Sequence, residues 1–257
     1  GPGGAVNPAV IVPRRSDGGR RDEVWAWVRA RWERDHPDLP MIEGHDDGPG
    51  KFNRGLAINR AAAQADADVL IIADSDTFCA PDQVTAACRV ALDPQAPSLV
   101  LAYDVFNYLS RQMSDRVMAG YDGWWGADYG IGWSMTDTCS SMVVVTRRLF
   151  DEVGGFDEGF VGWGFEDVAF SVACQTFGGG LARVKGDAWH LWHVTSPENH
   201  NGSPEWERNR RRHLLYGDAA YHPEAMRFLL DTIHGHELYD HDATRAKLDE
   251  FGAGRST

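Results

Sequence analysis

The chain has few cysteines, fewer basic than acidic residues, and no long apolar run. Its four cysteines, Cys79, Cys88, Cys139 and Cys174, are thinly spread and form no Cys-x-x-Cys pair. That spacing speaks against a disulfide framework, and the four read as reduced, mostly buried thiols. Lysine and arginine total 25 against 38 acidic residues, a formal net charge of −13. Broad, sequence-independent nucleic-acid binding usually needs a basic face, so duplex DNA is the poorest-fitting partner. An acidic protein can still hold an anionic ligand through a metal ion and a few local arginines. No apolar run approaches the roughly 20 residues that span a bilayer. No signal peptide is visible either, so a soluble, cytoplasmic protein is expected. Internal repeats and low-complexity blocks are lacking. Gly1-Pro2-Gly3-Gly4 reads as a cloning scar outside the fold.

What is present is a globular composition: 257 residues, 43% hydrophobic and 25% charged, enough for one large domain or two lobes sharing a core. Ala9 to Val12 reads as a first buried strand stopped by Pro13, with Arg14 and Arg15 at its carboxyl end. Asp22 to Arg34 carries Val24, Trp25, Val28 and Trp32 at helical spacing. Met41-Ile42-Glu43 is a second candidate strand, followed by the turn-rich stretch from Gly44 to Gly50. Phe52 to Ala65 is rich in alanine and predicts a helix. Val69 to Ala73 is a continuous apolar run of strand length, as in the centre of a parallel sheet. Further on, Asp82 to Leu92 and Val168 to Phe177 predict helices, the second stopped by Gly178-Gly179-Gly180. Ser98 to Ala102 and Met142 to Thr146 predict strands. Alternation of strand and helix implies an α/β fold with ligands at the carboxyl ends of the strands.

Several groups of residues suggest chemistry. Asp74-x-Asp76 follows the apolar strand, where paired carboxylates suit Mn²⁺ or Mg²⁺ shared with phosphate oxygens. The plain alternative is two solvated loop acids. His190 and His193 lie three apart and can both face one point, and imidazole favours Mn²⁺ over Mg²⁺. Packing beside Trp189 and Trp192 would also account for one of them. Gly162-Trp163-Gly164 precedes Glu166-Asp167 at a helix start. The helix dipole alone would favour acids there, and it should hold their pKa down. A Trp between glycines, however, offers a sugar platform beside a carboxylate base. Arg14, Arg15, Lys51 and Arg54 follow strands where a diphosphate would bind. Gly120 to Trp133 holds five glycines and the tryptophans Trp124, Trp125 and Trp133, and reads as a mobile ligand-contacting loop. That loop, or Ser196 to Ser203, is a candidate for closure over a bound donor. Arg208, Arg210, Arg211 and Arg212 read as a solvated helix face paired with Glu205 and Glu207.

Taken in chain order, these pieces resemble the metal-dependent glycosyltransferases of the GT-A fold, of the β-1,4-galactosyltransferase and chondroitin-polymerase type. Pro13-Arg14-Arg15 resembles the Pro-x-Arg that touches the nucleotide. Phe52-Asn53-Arg54 followed by Asn59 resembles a uridine-contacting segment. Ile71 to Asp76 resembles the strand and Asp-x-Asp that hold the metal. Val153-Gly154-Gly155-Phe156-Asp157-Glu158 with Trp163-Gly164-Phe165-Glu166-Asp167 resembles the acceptor-site motifs, with Phe165 where glycine is usual. His190-x-x-His193 matches the later metal ligands, with His190 where methionine is frequent.

The resemblance implies a GT-A fold with a mostly parallel central sheet and a helical C-terminal extension. Its parts would be a nucleotide-binding half (5–103), an acceptor-binding and catalytic half (104–200) and an extension (201–257). It implies Asp167 as base and Glu166 as the residue orienting a sugar. Pro13, Arg15, Phe52, Arg54, Asp74, Trp163 and Gly164 would meet the donor. Asp76, His193 and His190, with Asp74 sharing the metal or nearer the ribose, would hold Mn²⁺ or Mg²⁺. Similar retaining enzymes carry Asn after the Glu, so Asp167 implies inversion. UDP-galactose, UDP-N-acetylgalactosamine and UDP-glucose are the expected donors, in that order, with a carbohydrate or other glycosylatable acceptor. A metal-dependent phosphoesterase and a non-catalytic nucleotide- or sugar-binding module are the alternatives.

Overall fold

The computed structural model describes residues 7–121, 131–195, 201–236 and 238–252. Trp124, Trp125 and most of the two candidate closing loops therefore lie outside the described residues, as do Gly1 to Gly4. Strand β1 (Pro8–Arg14) leads into helix α1 (Arg20–Asp35), then β2 (Met41–His45), α2 (Arg54–Ala62), β3 (Val69–Ile72) and β4 (Thr77–Cys79). There follow α3 (Pro81–Leu92), β5 (Leu99–Leu101), β6 (Val105–Leu109), α4 (Arg111–Met118), β7 (Ile131–Met135) and β8 (Val143–Thr146). The chain continues through α5 (Arg147–Glu152), α6 (Glu166–Gly178), β9 (Leu181–Arg183) and β10 (Asp187–His190). It ends in α7 (Pro204–Asp218), α8 (Pro223–Ile233) and α9 (His241–Glu250). No helix among the described residues is long and apolar enough to cross a membrane. All four cysteines are free thiols, three of them buried.

The apolar runs build a six-stranded sheet in the order β2-β1-β3-β8-β5-β9. β8 runs antiparallel to β3 and β5, while the other pairings are parallel. The sheet is thus mostly parallel, with one reversed strand. Every residue of β3 is fully buried, which is why both of its faces are apolar. Val24, Trp25, Val28 and Trp32 form the buried face of α1. Helix α2 begins at Arg54 rather than Phe52 because the Asn53 side chain caps it, accepting from the Leu56 N–H at 2.9 Å. It packs on β2 at a glycine: a Cβ on Gly44 would lie 1.9 Å from the Ala57 carbonyl oxygen.

Pro13 does not end β1, which runs on to Arg14. Val10 donates toward the β2 side, to Pro40 O, while Ile11 O accepts from Ala73 on the β3 side. By alternation Pro13 presents its nitrogen to the β3 side, where pairing has already stopped at Ile11. Its missing N–H therefore removes no sheet bond.

A second sheet, of order β4-β10-β6-β7, stands beside the first and is not expected from the sequence. It carries the site. β10 runs antiparallel to β4, and its register sets His190 against Thr77. It runs parallel to β6, setting His190 against Tyr108, and β6 in turn sets Tyr108 against Trp133 on β7. Trp133 is therefore a strand residue rather than part of a loop.

The basic cluster of α7 differs from the solvated face expected of it. Arg210 does lie 3.7 Å from Glu207. Arg212 instead points inward to Asp157, and both side chains are only 3% exposed. Helix i, i+4 geometry puts Arg208 and Arg212 on the side facing the Asp157-to-Trp163 segment, where Arg208 donates to Val161 O.

Candidate active site

Asp76 stands between the end of β3 and the start of β4, and β10 delivers the histidines to it. The Leu191 N–H donates to the Asp76 carbonyl at 2.8 Å, holding the two segments together. The Trp192 N–H donates to Ser114 Oγ at 2.8 Å, fixing the bend between the histidines. His193 Nε2 then lies 3.0 Å from one Asp76 oxygen, and His190 Nε2 lies 3.6 Å from the other. Ligand atoms of all three residues fall within 4.8 Å of one another. This is the one such group of three among the described residues. Burial would raise the Asp76 carboxyl pKa, but His190 and His193 hold it well below the usual range. Burial lowers that of His190. One carboxylate and two imidazoles, half-enclosed and convergent, fit a borderline divalent ion such as Mn²⁺.

Asp74 lies outside that group because both of its oxygens are engaged elsewhere. Arg54 donates to Oδ1 through Nε at 3.0 Å and Nη2 at 2.6 Å, and Ser141 Oγ donates to Oδ2 at 2.8 Å. Arg54 Nη1 is 3.6 Å from Glu166, and this buried nitrogen has no hydrogen-bond partner. Arg54 thus ties the Asp-x-Asp turn to the start of α6. Burial opposes its charge, but Asp74, Glu166 and Asp167 raise its pKa.

The Glu166 pKa is pushed up to about 7, by burial first and then by Asp167. A depressed value was expected from the helix dipole. Arg54 makes its two close hydrogen bonds to Asp74, and its charge offsets only part of the effect of burial and of Asp167 on Glu166. Asp167 follows Glu166 in the first turn of α6, where its carboxylate accepts from the Val168 N–H at 2.8 Å.

The backbone ahead of α6 is shaped for this placement. Phe165 is its N-cap at φ 74°, a left-handed conformation costing a non-glycine residue about 1–3 kcal/mol. Packing holds it there: its ring stacks on His213 at 5.1 Å and meets Trp206 at 5.3 Å, both from α7. Gly164 has φ +104°, and a Cβ there would meet the Trp206 ring at 3.4 Å. Asn209 donates to the carbonyls of Val161 and Trp163, and Trp163 leaves 43% of its surface exposed.

The remaining sequence candidates fall into two sets. Arg15 lies over the Phe52 ring at 5.5 Å and pairs with Asp46 at 2.7 Å, while the Asn53 N–H donates to the same carboxylate. Pro13 lies opposite Gly44 on β2, the strand that leads to Asp46. Arg14 points away, paired with Asp22 and Glu43, and Lys51 lies 3.5 Å from Glu205. The structure adds Asp46 and Ser141, which the sequence reading passed over. Asp46 sat within a turn-rich stretch, and Ser141 sat beside an apolar run with no pattern to mark it.

The family model described as glycosyltransferase like family 2 matches residues 41–174, just over half of the 257-residue chain. No curated protein sequence matches the chain. Among solved structures, the chain is similar to the catalytic domain of Drosophila beta1,4galactosyltransferase 7 in complex with xylobiose. That match has 17% identity and a TM-score of 0.50, covering 79% of each chain. It is also similar to glucosyl-3-phosphoglycerate synthase from Mycobacterium tuberculosis in complex with Mn²⁺, UDP and glucosyl-3-phosphoglycerate. Here the identity is 16% and the TM-score 0.45, over 82% of this chain and 78% of that one. A mannosyltransferase from Pyrobaculum calidifontis in complex with GDP-Man and Mn²⁺ matches at 15% identity and TM-score 0.43, over 98% and 76%. The fold is the GT-A fold, and the chain belongs to glycosyltransferase like family 2.

Proposed function

We propose that this enzyme transfers a hexose from a UDP-sugar to an acceptor hydroxyl, with metal dependence and inversion at the anomeric carbon. The observation that carries the reading is the convergence of two sets of groups. The Asp76, His190 and His193 ligand set lies two residues past Asp74, and the Arg54 guanidinium ties Asp74 to Glu166 at the start of the helix that carries Asp167. Membership of a glycosyltransferase family favours sugar transfer over phosphate-ester hydrolysis. Galactose is the first candidate for the sugar, on the likeness of the motifs. In this reading residues 5–103 form the nucleotide half, 104–200 the acceptor and catalytic half, and 201–257 the helical extension.

Asp76, His190 and His193 would hold Mn²⁺, or Mg²⁺ in its place, and Asp74, kept outside the metal set by Arg54 and Ser141, would lie nearer the ribose. The bound ion supplies Lewis-acid neutralisation of the diphosphate charge. Arg54, with one unpaired N–H, adds a fixed positive charge beside the leaving group. Phe52 and Arg15 line the nucleotide end, with Pro13 below them, and Trp163 with Gly164 offers a flat, half-open face to the donor sugar. Glu166 orients that sugar through its hydroxyls. The acceptor oxygen attacks the anomeric carbon from the face opposite UDP, and Asp167 takes its proton. The bond from that carbon to the diphosphate oxygen breaks with its electron pair, so UDP leaves and the configuration inverts.

Incubation with UDP-galactose, UDP-N-acetylgalactosamine and UDP-glucose, with Mn²⁺ or with EDTA, tests this reading. One donor should be slowly hydrolysed only with Mn²⁺, and proton NMR should show the α-linked donor releasing β-sugar first. Release of the α-anomer first, or equal turnover in EDTA, would contradict it.

A further inference from the structure

Exposed tryptophans on sheet edges are uncommon, because an edge strand bearing a bare apolar face invites aggregation. Trp133 sits on β7, at the edge of the second sheet, and is 52% exposed. One of its faces is already covered: the ring stacks on Tyr108 at 4.1 Å with an interplanar angle of 3°. The exposure therefore belongs largely to the opposite face and the rim. A register shift between Tyr108 and Leu109 follows directly after this pair, the kind of bulge that re-aims side chains.

The stack is not isolated. His190, Tyr108 and Trp133 are cross-strand partners on three adjacent strands, so they form one row across a single face of the sheet. The Tyr108 ring lies 4.8 Å from that of His190. Its phenol also feels the charges of Asp74, Asp76 and Asp167. The row thus begins at a candidate metal ligand and ends at an open indole.

We propose that the open face of Trp133 is the stacking platform for the acceptor, and that the acceptor unit there is an uncharged pyranose ring. This rests on the transferase reading above. A pyranose has an apolar C–H face that matches a flat indole and a hydroxyl rim that can reach a base beside it. The indole is pre-oriented by Tyr108, so stacking a ring on it costs little ordering entropy. Charge decides between acceptor classes. Asp76 lies 3.6 Å from His190 at the inner end of the row and the whole chain carries −13, so a polyanion is disfavoured at this face. Trp163, by contrast, is held by α7 in the motif ahead of Asp167 and is left to the donor.

The test uses p-nitrophenyl β-glycosides of xylose, glucose, N-acetylglucosamine and galactose as probes. Their binding to the UDP- and Mn²⁺-loaded protein is read by saturation-transfer NMR, and their glycosylation by product formation. At least one probe should bind, with strongest saturation on its C–H face. Trp133→Ala should raise the acceptor KM about tenfold, the worth of one good aromatic stack, with kcat changed less than threefold. Trp133→Phe should recover most of the loss. Binding of none of the four glycosides would overturn the proposal, as would an unaltered acceptor KM in Trp133→Ala. So would transfer only to an oligonucleotide carrying 5-hydroxymethylcytosine. Glycoside binding that depends on Trp133 but leads to no transfer would overturn the acceptor role of this face, while Mn²⁺-dependent hydrolysis of a UDP-sugar in the same samples would leave the transferase reading standing.

Discussion

Asp167→Asn should lower sugar transfer by about 10²–10⁴-fold, the usual worth of a positioned general base, while UDP binding stays within a factor of about two. The amide has the same shape as the carboxylate but cannot accept the acceptor proton. It can keep the local structure, because the Asp167 carboxylate takes the Val168 N–H at 2.8 Å and an amide oxygen can do the same. The variant should therefore unfold at nearly the wild-type urea concentration. Glu166→Asp is the companion measurement. Glu166 is assigned to the sugar rather than to the proton, so shortening it should raise the donor KM more than it lowers kcat. Transfer by Asp167→Asn within tenfold of wild type would remove Asp167 from the role of base.

Arg212→Met should cost about 3–5 kcal/mol of stability, the penalty for leaving a buried charge without its partner. Asp157 receives two hydrogen bonds from Arg212, at 2.7 and 2.8 Å, one from Tyr216 at 2.8 Å and one from the Gly235 N–H at 2.9 Å. Arg212 also donates to the carbonyls of Ile233 and His236, so one guanidinium joins the Gly-Gly-Phe-Asp segment, α7 and the end of α8. Burial would raise the Asp157 pKa, but Arg212 and the other donors bring it below the ordinary 3.8. A carboxyl depressed in the folded state adds stability above its unfolded pKa, and that contribution is lost as pH falls through the folded value. Wild-type stability should therefore drop in acid below about pH 4, and Asp157→Asn should drop less over the same range. Urea denaturation at neutral and acid pH measures both effects. A loss under 1 kcal/mol in Arg212→Met would show that the pair contributes little to holding the extension in place.

The parts of the fold legible in the sequence were those with a repeating physical signal. Val69 to Ile72 is apolar on both faces, so its burial and its place inside the sheet could be read directly, and with them Asp74 and Asp76. The face of α1 followed from its periodicity. The second sheet had no such signal: β6 reads Val-Phe-Asn-Tyr-Leu and β10 reads Asp-Ala-Trp-His, short and polar in part, and their pairing is long-range. His190 and His193 were found by spacing, but only that pairing brings them to Asp76. Arg212 could not be told from Arg210 or Arg211, because its burial depends on Asp157, 55 residues away. The raised Glu166 pKa was likewise hidden, since it comes from burial under packed elements and outweighs the helix-start effect that sequence does show.

The most direct measurement is a calorimetric titration of UDP, with GDP and CMP as controls, in the presence and absence of Mn²⁺, on wild type and His193→Ala. UDP should bind wild type tightly only with Mn²⁺, the other nucleotides should bind at least tenfold more weakly, and His193→Ala should lose most of the metal-dependent gain. UDP binding indifferent to Mn²⁺, or unchanged in His193→Ala, would contradict the metal-dependent UDP-sugar site on which the account rests.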